Sequence, residues 1–496
     1  MLTRQVAAIA VLLTTVAFAV PAAQPPNIVL ILIDDLGYGD LGAYGSSVNR
    51  TPHIDRLARE GLRFIDFHSN GPMCSPTRAA LLTGRYQQRF GREFESALSH
   101  QTQFDRGLPL DAVTIAEVLK GAGYATAMYG KWHLGYHPPF TPVNQGFDEF
   151  RGLLSGDGDH HSHIDRSGRK DWWRNDEIEM ESGYTADLLT RDAIDFIERH
   201  KARPFFVYVP HLAIHFPWQG PDDRNGYRVE GRDYNNLSKL GQLESKDVAA
   251  KVKEMVEAVD ASTGRIVAAL EKLGLERNTL VFFASDNGGY LTYEGGYHNI
   301  SSNGLLRGQK TDVYEGGHRV PAIAWWPGRI EPGICDATTA TFDLFPTFAE
   351  IAGADLPDAA PRLDGVSLTK LLFERKAPSA RTLFWRMREK RAVRRGPWKL
   401  VRLGEDPPEL FNLDADIAES RNLASGQPGL VTELLSALSA WEADVDGDSG
   451  ASAKRRPAAP WGRPRARAGT VLPGSIPWAA ERWENPGQVA MTETAP

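Results

Sequence analysis

The stretch Asn27-Ile-Val-Leu-Ile-Leu-Ile-Asp34-Asp35-Leu-Gly-Tyr-Gly-Asp40 decides the fold. Asn27 to Ile33 is a continuous apolar run rich in β-branched residues. A strand with one wet face alternates polar and apolar residues, whereas a strand covered on both faces does not. The run therefore predicts a central strand with helices on either side. Two adjacent acids, Asp34 and Asp35, follow at its C-terminal end. Open α/β sheets bind ligands at that edge. In a plain turn the same carboxylates would be solvated.

Outward from this strand, Thr279 to Ala284 predicts a second buried strand, closed by Ser285-Asp286-Asn287-Gly-Gly. A carboxylate and an amide at a second strand end give oxygen ligands facing the first pair. Pro72-Met-Cys74-Ser-Pro-Thr-Arg78-Ala-Ala-Leu-Leu-Thr-Gly84-Arg-Tyr86 predicts a helix. Pro76 suits its first turn, and Gly84 suits its stop. Cys74 would sit at the helix N-terminus, where free N–H groups and the dipole favour an anion. Arg78, four residues on, shares its face. A lone Cys is otherwise a small buried hydrophobe.

Cys74-x-Pro-x-Arg78, followed by Thr-Gly-Arg, closely resembles the type I sulfatase signature, in the alkaline phosphatase superfamily. Gly-Lys131-Trp-His133-Leu-Gly matches another run of that family letter for letter. The region from Gly304 to Pro327, with Lys310, is similar to it as well. His215, before x-Pro217, fits the family's His-x-Pro element, and His211 is the weaker choice. Glu409-Leu-Phe-Asn and Ser420-Arg-Asn-Leu resemble the family's C-terminal subdomain. The resemblance covers Asn27 to Ala424. It departs in Gly152–Asp176, around Gln219–Ser245, and in the tail.

The resemblance implies a large, mixed, mainly parallel sheet sandwiched by helices, with a smaller C-terminal α+β subdomain. The expected division is 1–23 signal peptide, 24–375 catalytic domain, 376–446 antiparallel-sheet subdomain and 447–496 tail. It also implies that a dedicated formylglycine-generating enzyme oxidises Cys74 to formylglycine, whose hydrate is the nucleophile. Asp34, Asp35, Asp286 and Asn287, with residue 74, would hold one Ca²⁺, or Mg²⁺ in its place. Several hard carboxylate oxygens suit Ca²⁺, and no Cys₂ or His₂ set favours zinc there. Asp286 is the expected base near the attacking hydroxyl, and Arg78 stabilises the hydrate. Lys131, His215 and Lys310 would hold the sulfate and leaving group, His215 or Lys310 would protonate the alcohol, and His133 would deprotonate the second hydroxyl. Glu315 and Arg319 are expected to build structure. Ser155 sits near the sulfate by loose family position.

Composition agrees with an exported enzyme. The 496 residues carry a net charge of −7, which does not suggest nucleic acid as a partner. Arg4, the apolar run Val6 to Val20 and Pro21-Ala-Ala23 read as a secretory signal, and the run is short for a membrane span. No later segment is apolar enough to cross a bilayer, so periplasmic or secreted localisation is expected. Cys74 and Cys335 are the only cysteines, and converting Cys74 leaves no internal disulfide.

Elsewhere, helices are expected at Thr51–Gly61, Thr114–Gly121, Tyr184–His200, Ala249–Leu273, Asp343–Gly353 and Leu430–Val445. Short strands are expected at Arg63–His68, Tyr124–Met128, Pro204–Val209, Ala322–Trp326, Arg381–Met387 and Ala392–Leu403. If the strand at Tyr124 persisted, Lys131 and His133 would point the same way. Gly152–Asp176 reads as a solvated or substrate-facing loop rather than a zinc site, despite His160, His161 and His163. Trp172 and Trp173 offer a stacking face for a ring, or simply pack the loop. The tail is irregular, with Trp461, Trp478 and Trp483 able to pack on the surface. The expected substrate is an aryl or carbohydrate sulfate. The alternatives are a phosphoester or phosphonate hydrolase of the same superfamily and a secreted, non-catalytic sulfated-glycan-binding protein.

Overall fold

The computed structural model describes residues 24–449 except 101, 224–227, 235–244, 294–295 and 358–359. The signal segment and the tail with its three Trp lie outside the described residues. Asn27–Ile33 is a strand with every residue buried. It lies inside a ten-stranded sheet, paired in parallel with Phe205–Pro210 on one side and Thr279–Ser285 on the other. Ala125–Lys131 and Glu149–Leu153 extend the parallel run beyond Phe205–Pro210. On the opposite side Ala322–Trp325 pairs antiparallel with Thr279–Ser285, making the sheet mixed.

Successive side chains of a strand face opposite sides, and here the two sides enter different cores. Ile28, Leu30 and Leu32 join one core with Phe282 and with Leu81 and Leu82 of the helix Cys74–Thr83. Val29, Ile31 and Ile33 join the other with Phe283, Leu189 of the helix Thr185–His200 and Val256 of the helix Ser245–Lys272. Fully burying an aliphatic side chain of this size contributes about 1.5–3 kcal/mol. The central strand is thus the part of the sheet least able to accept a charge.

A second sheet, of four antiparallel strands, runs Thr382–Met387, Lys390–Arg395, Trp398–Leu403 and Glu409–Asn412. The helix Pro428–Ser449 packs on it through Leu434, Leu438 and Trp441, and continues past the expected end at Val445. This core also takes in Tyr86 and Phe342 of the larger unit.

Two local expectations change. Arg63–His68 is not one strand; Leu62–Phe64 joins the large sheet and Phe67–His68 pairs with Thr339–Ala340. The strand at Tyr124 runs on to Lys131 but does not persist to His133, whose φ is +56°. Gly130 makes the extension possible. Its φ is +145°, and a Cβ there would stand 1.9 Å from the Pro210 carbonyl oxygen.

Candidate active site

The helix Cys74–Thr83 begins directly beneath the C-terminal ends of the two central strands. Met73 is extended and Gly84 is left-handed with φ +66°, so the helix starts at Cys74 and stops where Gly permits. The thiol is buried. One ligand-capable atom each of Asp34, Cys74 and Asp286 lies within 4.8 Å of the others. Asp35 follows Asp34 in a left-handed turn, φ +61°. Holding a non-glycine residue there costs roughly 1–3 kcal/mol, a strain that persists only where neighbours impose it. Here they do. Asn287 Nδ2 donates to Asp35 Oδ1 at 2.9 Å, and the Asp35 amide donates to Asp286 Oδ1 at 3.3 Å.

Three buried cations surround these acids. Arg78 donates through Nε and Nη2 to Asp286 Oδ2 at 3.0 and 2.8 Å, and through Nη1 to the Lys131 carbonyl at 2.6 Å. Lys131 Nζ pairs with Asp34. Lys310 Nζ pairs with Asp35 Oδ1 at 2.5 Å. Burial and the neighbouring Asp286 push the Asp34 carboxyl well above its usual range. Burial lowers the affinity of Lys310 for its proton, but Asp35, Cys74, Tyr290 and Asp34 together more than offset this and push it well above the usual lysine range.

The two histidines hold defined orientations. His215 Nδ1 lies 2.8 Å from the Phe216 carbonyl, so that nitrogen carries the proton. Its Nε2 faces Asp35 Oδ2 at 3.9 Å. His133 Nε2 lies 2.9 Å from the Leu98 carbonyl, and its Nδ1 is buried without a hydrogen-bond partner. Burial, with Lys131 nearby, pushes His133 well below the usual histidine range. A neutral ring with one bare, buried nitrogen is ready to accept a proton.

The residues fit a divalent cation. Asp34 Oδ1 and Asn287 Oδ1 are buried acceptors with no hydrogen-bond partner. Leaving an acceptor dry and unpaired costs about 1–3 kcal/mol. Two such oxygens beside the Asp35 and Asp286 carboxylates form a hard-oxygen set suited to Ca²⁺ or Mg²⁺.

All the expected site residues except Ser155 therefore converge on one buried spot. Ser155 Oγ donates to the Asp157 carbonyl at 2.7 Å and serves its own loop. His211 bonds Ser262 Oγ at 3.0 Å, away from the acids. The segment Gly152–Asp176, expected as a solvated or substrate-facing loop, is mostly buried, with Lys170 and Arg174 to Asp176 exposed. Its Asp157, Asp159, His160, His163, Asp165 and Asp171 are buried. His160 Nε2 lies 3.1 Å from the His215 carbonyl and braces that turn. His161 Nε2 lies 3.0 Å from the Gly220 carbonyl. Trp172 stacks on His163 at 4.2 Å, and Trp173 donates to Asp171 at 2.8 Å. Both indoles are buried, so they pack the loop and offer no stacking face. Sequence reasoning missed Leu98, Tyr136, Tyr290, Tyr293, Arg166 and Arg228. Tyr293 ends the short strand Thr292–Tyr293 and the others come from irregular segments, and no spacing marks them.

A cluster of buried acids ringed by buried cations, at the C-terminal edge of a parallel sheet, suits the hydrolysis of an anionic ester. Comparison with known proteins agrees. Residues 26–354 match the family model described as Sulfatase. Arylsulfatase A of Homo sapiens is 34% identical over 486 residues, covering 86% of this chain and 89% of the human one. N-acetylgalactosamine-6-sulfatase of Mus musculus is 36% identical over 402 residues, covering 77% and 72%. The crystal structure of Ps i-CgsB superposes with a TM-score of 0.75 at 32% identity, covering 86% of this chain and 94% of that one. The chain belongs to the sulfatase family. It is a sulfatase, an enzyme that hydrolyses sulfuric esters.

Proposed function

We propose that this enzyme is exported and removes sulfate from aryl or carbohydrate sulfate esters through residue 74 as its covalent nucleophile. The observation that carries the reading is Cys74 at a helix N-terminus, within 4.8 Å of Asp34 and Asp286 and ringed by Arg78, Lys131 and Lys310. Support for a carbohydrate substrate comes from a relative whose structure holds k-i-k-neocarrahexaose, at 31% identity and a TM-score of 0.75. Relatives named for N-acetylgalactosamine 6-sulfate support the same class. Support for export is the apolar run Val6–Val20 followed by Pro21-Ala-Ala. No helix among the described residues is long and apolar enough to cross a membrane.

In this reading a formylglycine-generating enzyme converts Cys74 to an aldehyde, which water hydrates to two hydroxyls. Asp34, Asp35, Asp286 and Asn287 hold a divalent cation, taken as Ca²⁺. When bound, the cation adds positive charge beside residue 74 and the sulfate oxygens. Lys131 and Lys310, both buried, hold those oxygens. Asp286 stands as base for the attacking hydroxyl, and Arg78 fixes that carboxylate. Attack on sulfur breaks the bond to the ester oxygen. The departing alcohol takes a proton from Lys310 or His215. Lys310 is favoured, because the His215 Nδ1 proton is committed to Phe216. His133 Nδ1 then takes the proton of the second hydroxyl, which releases sulfate and restores the aldehyde. Concentrated positive charge that favours the transition state over solvent is the main source of rate.

Mass spectrometry of the Cys74 peptide from active enzyme tests the first step, and an aldehyde is expected. An unmodified thiol in fully active protein would overturn the mechanism. Parallel turnover of 4-nitrophenyl sulfate and 4-nitrophenyl phosphate tests the ester class, with sulfate expected to be faster.

A further inference from the structure

Beyond the acids and lysines, a continuous chain of aromatic contacts links Lys310 to His215. Lys310 Nζ lies 5.2 Å from the Tyr290 ring, and Tyr290 packs on Tyr293 at 4.9 Å. Tyr293 packs on Phe216 at 5.3 Å, and Phe216 stacks on His215 at 4.8 Å. Tyr290 and Tyr293 are half-buried, so part of each side chain stays accessible. Aromatic faces of this kind receive the apolar face of a sugar ring.

Two guanidinium groups stand at the far end of that series of contacts. Arg166 lies 4.5 Å over Phe216 and keeps 26% of its side chain exposed. Its Nε and Nη2 donate to Asp157 Oδ2 at 2.8 and 2.7 Å. Arg228 lies 5.9 Å from the same ring and is 3% exposed. Neither Nη1 nor Nη2 of Arg228 has a hydrogen-bond partner. The nearest carboxylate oxygen, Asp157 Oδ1, is 3.6 Å away, beyond good hydrogen-bond range. Asp159 does not relieve it. That carboxylate takes its bonds from Gln219 Nε2 and from the amides of His161, Ser162 and Arg228.

One carboxylate thus serves two guanidiniums, and one of them is buried with idle donors. Buried cationic donors without an acceptor are costly, and the guanidinium fork matches a carboxylate or sulfate. Arg166, Asp157 and Arg228 also lie in the two stretches where the sequence departs from the family pattern.

We propose that Arg166 and Arg228, set against Asp157 beside Phe216, form a subsite for a second anionic substituent on the saccharide whose sulfate ester is cleaved. The substituent is a carboxylate or a second sulfate. The proposal rests on the sulfatase reading of the Cys74 site and names the substrate class for it.

The test compares kcat/KM for three substrates of the intact enzyme. They are a neutral monosulfated saccharide, its disulfated counterpart and a sulfated saccharide carrying a uronate. The wild type is expected to favour one of the two dianionic substrates by roughly tenfold or more, as one charge-assisted hydrogen bond would give. Which one it favours identifies the substituent. Arg166→Gln, at a partly exposed position, should cut that preference about tenfold; Arg228→Lys, which keeps charge but loses the fork, should cut it less. High salt should narrow it. Equal kcat/KM for all three, or an equal loss on all three in R166Q, would overturn the subsite. A third arm uses 4-nitrophenyl sulfate. Turnover of that ester without anionic preference sinks the subsite alone, whereas no turnover of any sulfate sinks the underlying reading as well.

Discussion

Two buried clusters in this molecule look alike by composition and do different work. One is the acid set Asp34, Asp35 and Asp286 with Arg78, Lys131 and Lys310. The other is Asp66, Glu315 and Glu419 with Arg319, Arg394 and Lys399, built around His68 and His318. Each contains three buried residues placed to grip an ion: Asp34, Cys74 and Asp286 in the first, His68, Glu315 and His318 in the second. Each pairs three acids with three cations, so counting charge cannot separate them.

Hydrogen bonding separates them. In the second cluster both histidine rings are used at both nitrogens. His68 Nδ1 lies 3.0 Å from His318 Nδ1, and His68 Nε2 lies 2.9 Å from Asp66 Oδ1. Lys399 Nζ reaches both His318 Nε2, at 3.1 Å, and Glu315 Oε1, at 2.9 Å. Arg394 grips Asp66 with two bonds, at 2.7 and 2.8 Å. Trp385 caps His318 at 4.1 Å. No ring lone pair is left for an ion. Since Arg394, Lys399 and Trp385 come from the four-stranded sheet, this cluster fastens the small subdomain to the large one. In the first cluster Asp34 Oδ1, Asn287 Oδ1 and His133 Nδ1 remain unpaired, whereas in the second Glu419 Oε1 makes no hydrogen bond but lies 2.9 Å from the Lys399 ammonium. Unsatisfied acceptors, more than the tally of acids, mark the site that does chemistry.

Four experiments would break or sharpen this contrast. Cys74→Ala should reduce sulfate-ester turnover on the order of 10⁵-fold, as loss of a covalent nucleophile does, with the melting temperature almost unchanged. Retained turnover would remove the basis for calling the first cluster catalytic. Lys399→Met should do the opposite. It leaves Glu419 buried without its cation and Glu315 with only the arginines on its other oxygen, at a cost of about 3–5 kcal/mol. Urea unfolding reads the loss, and the protein that remains folded should keep its kcat within a few fold. Chelation should lower both activity and melting temperature. Readdition of Ca²⁺ at 100 times its Kd should restore about 2.7 kcal/mol, and Asp34→Asn should blunt that response. A thermal shift that survives D34N but not Glu315→Gln would reverse the assignment of the two clusters.

The smallest effect concerns pH. Burial holds His68 below the ordinary histidine value of 6.5, and burial with Lys399 nearby holds His318 well below it. Between the folded value and 6.5 the unfolded chain binds protons that the folded chain does not. Stability is therefore full above 6.5 and is lost as pH falls below it. Melting temperatures from pH 7.5 to 5 should show this decline. His318→Gln should flatten the slope by about 1 kcal/mol per pH unit. An unchanged slope would mean that these rings do not titrate with folding.

Local chemistry made much of the fold legible. Asn27–Ile33 is too apolar to touch water on either face, Gly84 ends the Cys74 helix, and Thr114 and Glu117 form the capping box that starts the helix Ile115–Gly121. The acids at two strand ends and the run from Gly130 to Gly135 were legible too, because short motifs fix side chains relative to their own backbone. Other features were not. The left-handed turn at His133 depends on what surrounds it, so the condition that the strand persist to that residue could not be read from a spacing of two. The histidine-rich loop looked solvated because its partners, Gln219 and Arg228, lie more than fifty residues on.

The sequence by itself determined the central strand, the helix that opens at Cys74 and the acids, lysines and histidines available to a sulfatase. Only the tertiary structure decided which polar atoms went without partners, that His68 and His318 fasten two units together, and that Arg166 and Arg228 share one carboxylate. The physical reason is that hydrogen-bond satisfaction is a property of assembled neighbours. A residue's identity states what it can donate or accept, and only packing from distant segments states what is left over.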